Sequence, residues 1–135
     1  MTEKKAGNRN SSDIKIFFDI SFSSETGVDP LSFRQADRIR NVGDLSPAGH
    51  KAKENSICFR TTPKDPLSSL EMYWNEIEPR CLVNIELITK LREMGADLKL
   101  TVETCGFPEL SIPISLSKFA VLVGVTIDFD MYEEC

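Results

Sequence analysis

One histidine, His50, and one tryptophan, Trp74, are all that 135 residues hold of either type. A single imidazole excludes any site built on two or more histidines. The four cysteines, Cys58, Cys81, Cys105 and Cys135, form no Cys-x-x-Cys pair, which excludes zinc-ribbon and thioredoxin-like readings. Gly43 and Gly49 stand alone and no Gly-Lys-Ser/Thr occurs, so there is no phosphate loop. No Asp-x-Asp-x-Asp-Gly pattern is present either, and the expectation is neither metal nor cofactor. The longest apolar run is the five residues Phe119–Val123, against the roughly 20 that a spanning helix needs. The N-terminal dozen residues are polar, with no apolar segment of signal-peptide length behind them. These absences predict a cytoplasmic protein without membrane contact and with four free thiols. Cys58, Cys81 and Cys105 are expected as small core residues and Cys135 as exposed.

What is present is an ordinary globular balance, 41% hydrophobic and 27% charged, which argues against wholesale disorder. The length suits one domain, placed at 13–135 behind a flexible tail at 1–12. Sixteen basic and 21 acidic residues leave a net charge of −5. Duplex binding draws its affinity from neutralising phosphate, so nucleic acid is a poor match for this sign. The acid is also unevenly placed. Residues 1–60 carry ten basic and eight acidic side chains, and residues 61–135 carry six and thirteen. An acidic half suits a basic protein partner, because complementary charge steers encounter; it also simply keeps a small protein soluble.

Hydropathy periods predict the elements. Ile14, Ile16, Phe18, Ile20 and Phe22 alternate with mostly polar residues, a strand with one buried face. Asp29-Pro30 opens a short helix over 30–36. Residues 37–55 are polar and are expected as a long loop. A second strand covers 56–62. Leu67, Leu70, Trp74, Ile77, Cys81, Ile85, Ile88 and Leu91 recur at helical spacing, with Pro79 inside, which predicts a kink or two abutting helices closed by Gly95. Strands follow at 97–103 and 110–114, joined by a turn at 106–109. A helix at 116–123 is capped by Ser115 or Ser117 and closed by Gly124, and a last strand covers 125–131. The order is β-α-β-α(α)-β-β-α-β. The expected fold is α+β, a single mostly antiparallel or mixed five-stranded sheet with helices on one face.

A long helix ending in Leu91-Arg-Glu-Met-Gly95, two strands, a Leu-Ser-initiated helix and the closing Gly124-Val-Thr-Ile-Asp-Phe-Asp-Met-Tyr132 come in a recognisable order. In this the chain resembles the small bacterial proteins of domain-of-unknown-function family 4279. The resemblance is firmest over 67–132, and Arg38–Asp44 matches that family's basic turn ending in Gly-Asp. The family's Leu-Gly-x-x-Pro-Thr segment is absent. The family supplies no catalytic residues to carry over. Its small acidic members are similar to immunity proteins that neutralise a cognate bacterial toxin, which implies a non-enzymatic protein-binding role.

If every strand turns its apolar set to the helices, the open face carries Asp13, Lys15, Asp19, Cys58, Arg60, Asp97, Lys99, Glu103, Asp128 and Asp130. Six carboxylates then face three cations. The candidate partner-binding residues are Asp19, Glu103, Asp128 and Asp130, expected to meet a basic toxin domain, with Arg38 and Arg40 as the second choice. An ordinary wet sheet face has the same composition. The alternatives are a small enzyme whose site lies in the 37–55 loop, where His50 as base would need Ser46 or a cysteine held nearby, and a regulatory domain that self-associates through an edge strand. Arg34, Arg38, Arg40, Lys51 and Lys53 make the 34–53 region basic, but Asp37 and Asp44 interrupt it and no aromatic residues are interleaved for base stacking. Nothing in the sequence fixes an oligomeric state.

Overall fold

The computed structural model describes residues 14–64, 68–105 and 110–132. The tail at 1–12, Asp13 and the turn at 106–109 lie outside the described residues. Five strands, β1 (Ile14–Phe22), β2 (Arg38–Arg40), β3 (Asn55–Arg60), β4 (Asp97–Cys105) and β5 (Ile127–Tyr132), form one sheet in the order β2-β3-β1-β4-β5. The first four pair antiparallel and β5 runs parallel to β4. A parallel neighbour needs a crossover, and helix α3 (Ile114–Val123) supplies it. The expected α+β class, with a mixed five-stranded sheet and helices on one face, is the architecture observed.

Alternation sets the facing. Ile16, Phe18, Ile20 and Phe22 of β1, Ile57 and Phe59 of β3, and Leu100 and Val102 of β4 are all buried in one core. Helices α1 (Leu70–Leu82) and α2 (Ile85–Glu93) cover them with Leu70, Trp74, Ile77, Cys81, Ile88 and Leu91. Phe119 of α3 joins the layers: its ring meets Phe18 edge-on at 5.4 Å and Trp74 at 5.3 Å. Each such fully buried side chain contributes about 1.5–3 kcal/mol.

The long helical stripe divides into two abutting helices. Pro79 sits in the last turn of α1, and the chain breaks at Val83-Asn84 before α2 begins. Ser69 caps α1, accepting the Met72 amide at 3.3 Å. At the end of α3 Gly124 adopts φ 73°, which lets its amide reach the Ala120 and Val121 carbonyls.

Four elements differ from expectation. The helix at 30–36 is a single 3-10 turn, Pro30–Ser32, although Asp29 does cap it by accepting the Leu31 amide at 3.0 Å. The strand expected at 110–114 is absent: residues 110–113 are irregular and Ile114 starts α3 directly after Pro113, with neither serine capping it. The edge of β4 that such a strand would occupy is taken by β5. The fifth strand is instead β2, inside the segment expected as a loop. Residues 41–54 extend the β2–β3 pair as an ordered hairpin, with Gly43 N to Ala52 O at 2.8 Å, Ala52 N to Asp44 O at 2.8 Å and a Leu45–Lys51 bridge.

Arg80 fastens this edge to α1. Its guanidinium donates to Asp37 Oδ2 at 2.8 Å, to the Gln35 carbonyl at 3.3 Å and to the Arg60 carbonyl at 2.7 Å. Asp37 in turn accepts the Arg60 amide at 2.7 Å. Gln35, at φ 59°, is the sole described residue other than glycine in the left-handed region, and its carbonyl is one of those held.

Cys105 is disulfide-bonded, which overturns the expectation of four free thiols. Cys58 and Cys81 are free, so its partner lies outside the described residues. Spacing in sequence carries no signal for a link made by the fold. Cys105, expected in the core, is only half-buried at the end of β4. No described helix is long and apolar enough to cross a membrane.

Candidate functional site: the open sheet face

The face of the sheet turned away from the helices is built by the second set of each alternation. Register places its side chains in rows. One row runs Arg38, Cys58, Asp19, Lys99 across β2, β3, β1 and β4. The next runs Arg60, Phe17, Thr101, Asp128, and the third Lys15, Glu103, Asp130. On the other side lies Arg40, Ser56, Ser21, Asp97. A shallow groove of about 360 Å³ follows these rows, lined by Asp19, Arg38, Arg60, Lys99, Glu103 and Asp130 over Phe17, Cys58 and Thr101.

All six candidate residues, Asp19, Glu103, Asp128, Asp130, Arg38 and Arg40, fall on this one face. Arg38 and Arg40 were expected in a separate loop, and β2 brings them onto the sheet. That alters the charge count. Over the described residues five carboxylates (Asp19, Asp97, Glu103, Asp128 and Asp130) share the face with five cations (Lys15, Arg38, Arg40, Arg60 and Lys99). The six-to-three surplus becomes a balance, with Asp13 outside the described residues.

The balance is not uniform. Lys15 sits opposite Glu103 and Asp19 opposite Lys99, so the centre is mixed. Arg38, Arg40 and Arg60 gather on β2 and β3, and Asp128 and Asp130 on β5. Four strand spacings of about 4.8 Å set β2 roughly 19 Å from β5. This exceeds the Debye length of about 8 Å at physiological salt, so the two poles act independently on anything that docks. None of these ten side chains joins an ion pair within 4.0 Å among the described residues; the ion pairs lie elsewhere, at Arg80–Asp37, Lys64–Glu76 and Arg80–Glu76.

Cys58 is the buried thiol on the face. Burial pushes its thiol up to about 12, the hydrogen bond to Asp19 and the charge of that carboxylate push the same way, and Arg38 and Arg60 oppose them. A thiol held neutral in this way is a poor nucleophile. In the hairpin Ser46 Oγ accepts the His50 backbone amide at 3.2 Å, and the Ser46 amide donates to the His50 carbonyl at 2.8 Å. The hydroxyl thus closes its own turn.

A second surface lies on α3, away from all the candidate residues. Helix α3 buries Leu116, Phe119, Ala120 and Val123, yet its opposite stripe is apolar too. Ile114 is 73% exposed, Val121 81% and Leu122 59%, and with Ile112 and Lys118 they line a shelf of about 460 Å³. The signal is Ile114, Val121 and Leu122, apolar residues on the face of the helix opposite Leu116, Phe119 and Val123.

Comparison of the chain with family models, with curated proteins and with solved structures finds no match.

Proposed function

We propose that this chain is a non-enzymatic protein-binding domain, of the immunity-protein kind that neutralises a cognate bacterial toxin by direct contact. The observation that carries the reading is the open sheet face: ten charged side chains on a five-stranded platform, mixed at its centre and of one sign at each edge, none of them spent on an ion pair with another described residue. Charge held ready on a rigid surface steers encounter and selects partners. The acidic pole, Asp128 and Asp130 with Glu103 beside them, meets a basic patch of the toxin domain. The basic pole, Arg38, Arg40 and Arg60, sets its orientation by meeting an acidic one. A toxin that holds nucleic acid needs such a basic surface, and covering it excludes substrate without any contact to the chemistry.

The test is a search of the neighbouring genes for a toxin domain, followed by titration of the chain with it. The expected result is a one-to-one complex whose association slows as salt rises. Reversing Asp128 and Asp130 together to Lys should weaken the complex at least tenfold and leave the melting temperature nearly unchanged, since both residues are exposed. Lack of a neighbouring toxin gene, or neutralisation by the double variant at parental affinity, would overturn the reading.

A further inference from the structure

Strand β5 ends the sheet, and among the described residues nothing pairs with its outer edge. Every second residue of such a strand turns its N–H and C=O away from the sheet, where only water or another strand satisfies them. Its two faces are unlike. Ile127 and Phe129 pack against the core but stay half-exposed, and Met131 beyond them is 43% exposed. Among the described residues the apolar layer under the sheet therefore runs out past β5 without being closed. On the other face Asp128 and Asp130 are exposed.

We infer that β5 takes up an extended segment of a partner as a sixth strand, and that this segment alternates basic with apolar residues. Main-chain pairing to the free edge supplies register and much of the affinity, as in other strand additions. The basic residues come to lie beside Asp128 and Asp130, and opposite charges across a strand pair attract. The apolar residues continue the layer of Ile127, Phe129 and Met131. A second copy of this chain is the wrong occupant. An antiparallel β5–β5 pair centred on Phe129 sets Asp128 of one copy opposite Asp130 of the other, twice over, and like charges directly opposite repel. The same two aspartates thus guard the edge against self-association and select a basic strand. This inference rests on the protein-binding reading and specifies how one part of the surface binds.

The probe is an eight-residue peptide alternating lysine with valine. A second peptide has the same sequence but N-methyl groups on alternate backbone nitrogens, which removes one edge of hydrogen bonding and keeps every charge. Amide exchange of the chain is followed residue by residue. The expected result is at least tenfold slower exchange at alternate amides within Ile127–Tyr132 with the first peptide and none with the N-methylated one. The D128K/D130K variant should lose the lysine peptide by about tenfold and bind a glutamate–valine peptide instead. Equal binding of the N-methylated peptide, or protection at β2 rather than β5, would overturn strand addition. Toxin titration stays separate: a complex that forms while the peptide leaves β5 unprotected sinks the edge and spares the face, and protection of β5 with no toxin complex does the reverse.

Discussion

Asn84 and Arg34, fifty residues apart, pair like two strands of a ladder: Asn84 Oδ1 accepts the Arg34 amide at 2.8 Å, and Asn84 Nδ2 donates to the Arg34 carbonyl at 2.9 Å. Nδ2 also reaches the Arg80 carbonyl at 2.9 Å. The break between α1 and α2 is thereby fastened to the segment leading into β2. Asn84 is almost fully buried, so Asn84→Ala leaves the amide and carbonyl of Arg34 without partners in a part-dry site. The expected cost is roughly 3 kcal/mol, at about 1–3 kcal/mol per stranded group. Urea denaturation measures it, and a midpoint within error of the parent would refute the role.

The two free thiols predict alkaline sensitivity. Cys58 and Cys81 are both pushed from 9.0 up to about 12, chiefly by burial. The native state holds the proton more tightly than the unfolded chain does. The stability this provides is complete below pH 9 and is lost as pH rises from 9 towards 12. Lysines and tyrosines titrate in the same window, so the comparison is with Cys58→Ala/Cys81→Ala. The parent's urea midpoint should fall more steeply between pH 8 and pH 10.5 than the variant's.

Asp19→Asn should bring the Cys58 thiol down towards its ordinary value, because it removes a carboxylate charge that opposes the thiolate while Arg38 and Arg60 stay. Native-state alkylation by iodoacetamide at pH 9 should quicken for Cys58 and stay unchanged for Cys81, which lies on the helix side of the sheet. Peptide mapping of the labelled protein separates the two.

Leu100 and Ile127 stand opposite each other in the β4–β5 register, and they differ in cover. Leu100 is fully buried, whereas Ile127 on the edge strand is half-exposed. Leu100→Asp should unfold the domain, since an unpaired buried carboxylate costs several kcal/mol against a total of roughly 5–15. Ile127→Asp should leave it folded with a lowered melting temperature. Circular dichroism distinguishes the two outcomes, and equal damage would mean that β5 is covered as deeply as β4.

A disulfide takes two of the four cysteines. Thiol titration of unfolded protein that has never met reductant should therefore report two free groups, and four after reduction. Such a bond persists in an oxidising compartment. Four free groups at the outset would remove the bond at Cys105.

The sequence by itself determined the elements whose side chains repeat. Period-two alternation marked β1, β4 and β5, and the 3.6-residue stripe marked α1 and α2, because burial on one face writes itself directly into the order of residues. Pro79 announced that the stripe would not run as one straight helix, although α1 continues past it to Leu82 and breaks only at Val83-Asn84. The facing of Asp19, Glu103, Asp128 and Asp130 followed from the same alternation. The tertiary structure decided what depends on distant partners. β2 has one apolar residue, Ile39, and exists because β3 pairs with its backbone, which no local pattern records. Leu110, Ile112 and Ile114 alternate as well as a strand does, but β5 holds the place beside β4. The bond at Cys105 belongs to the same class. Adding β2 to the sheet carried Arg38 and Arg40 onto the open face and turned an expected acidic surplus into two separated poles. Hydropathy says which side of a strand is dry; only long-range pairing says which strands share a face.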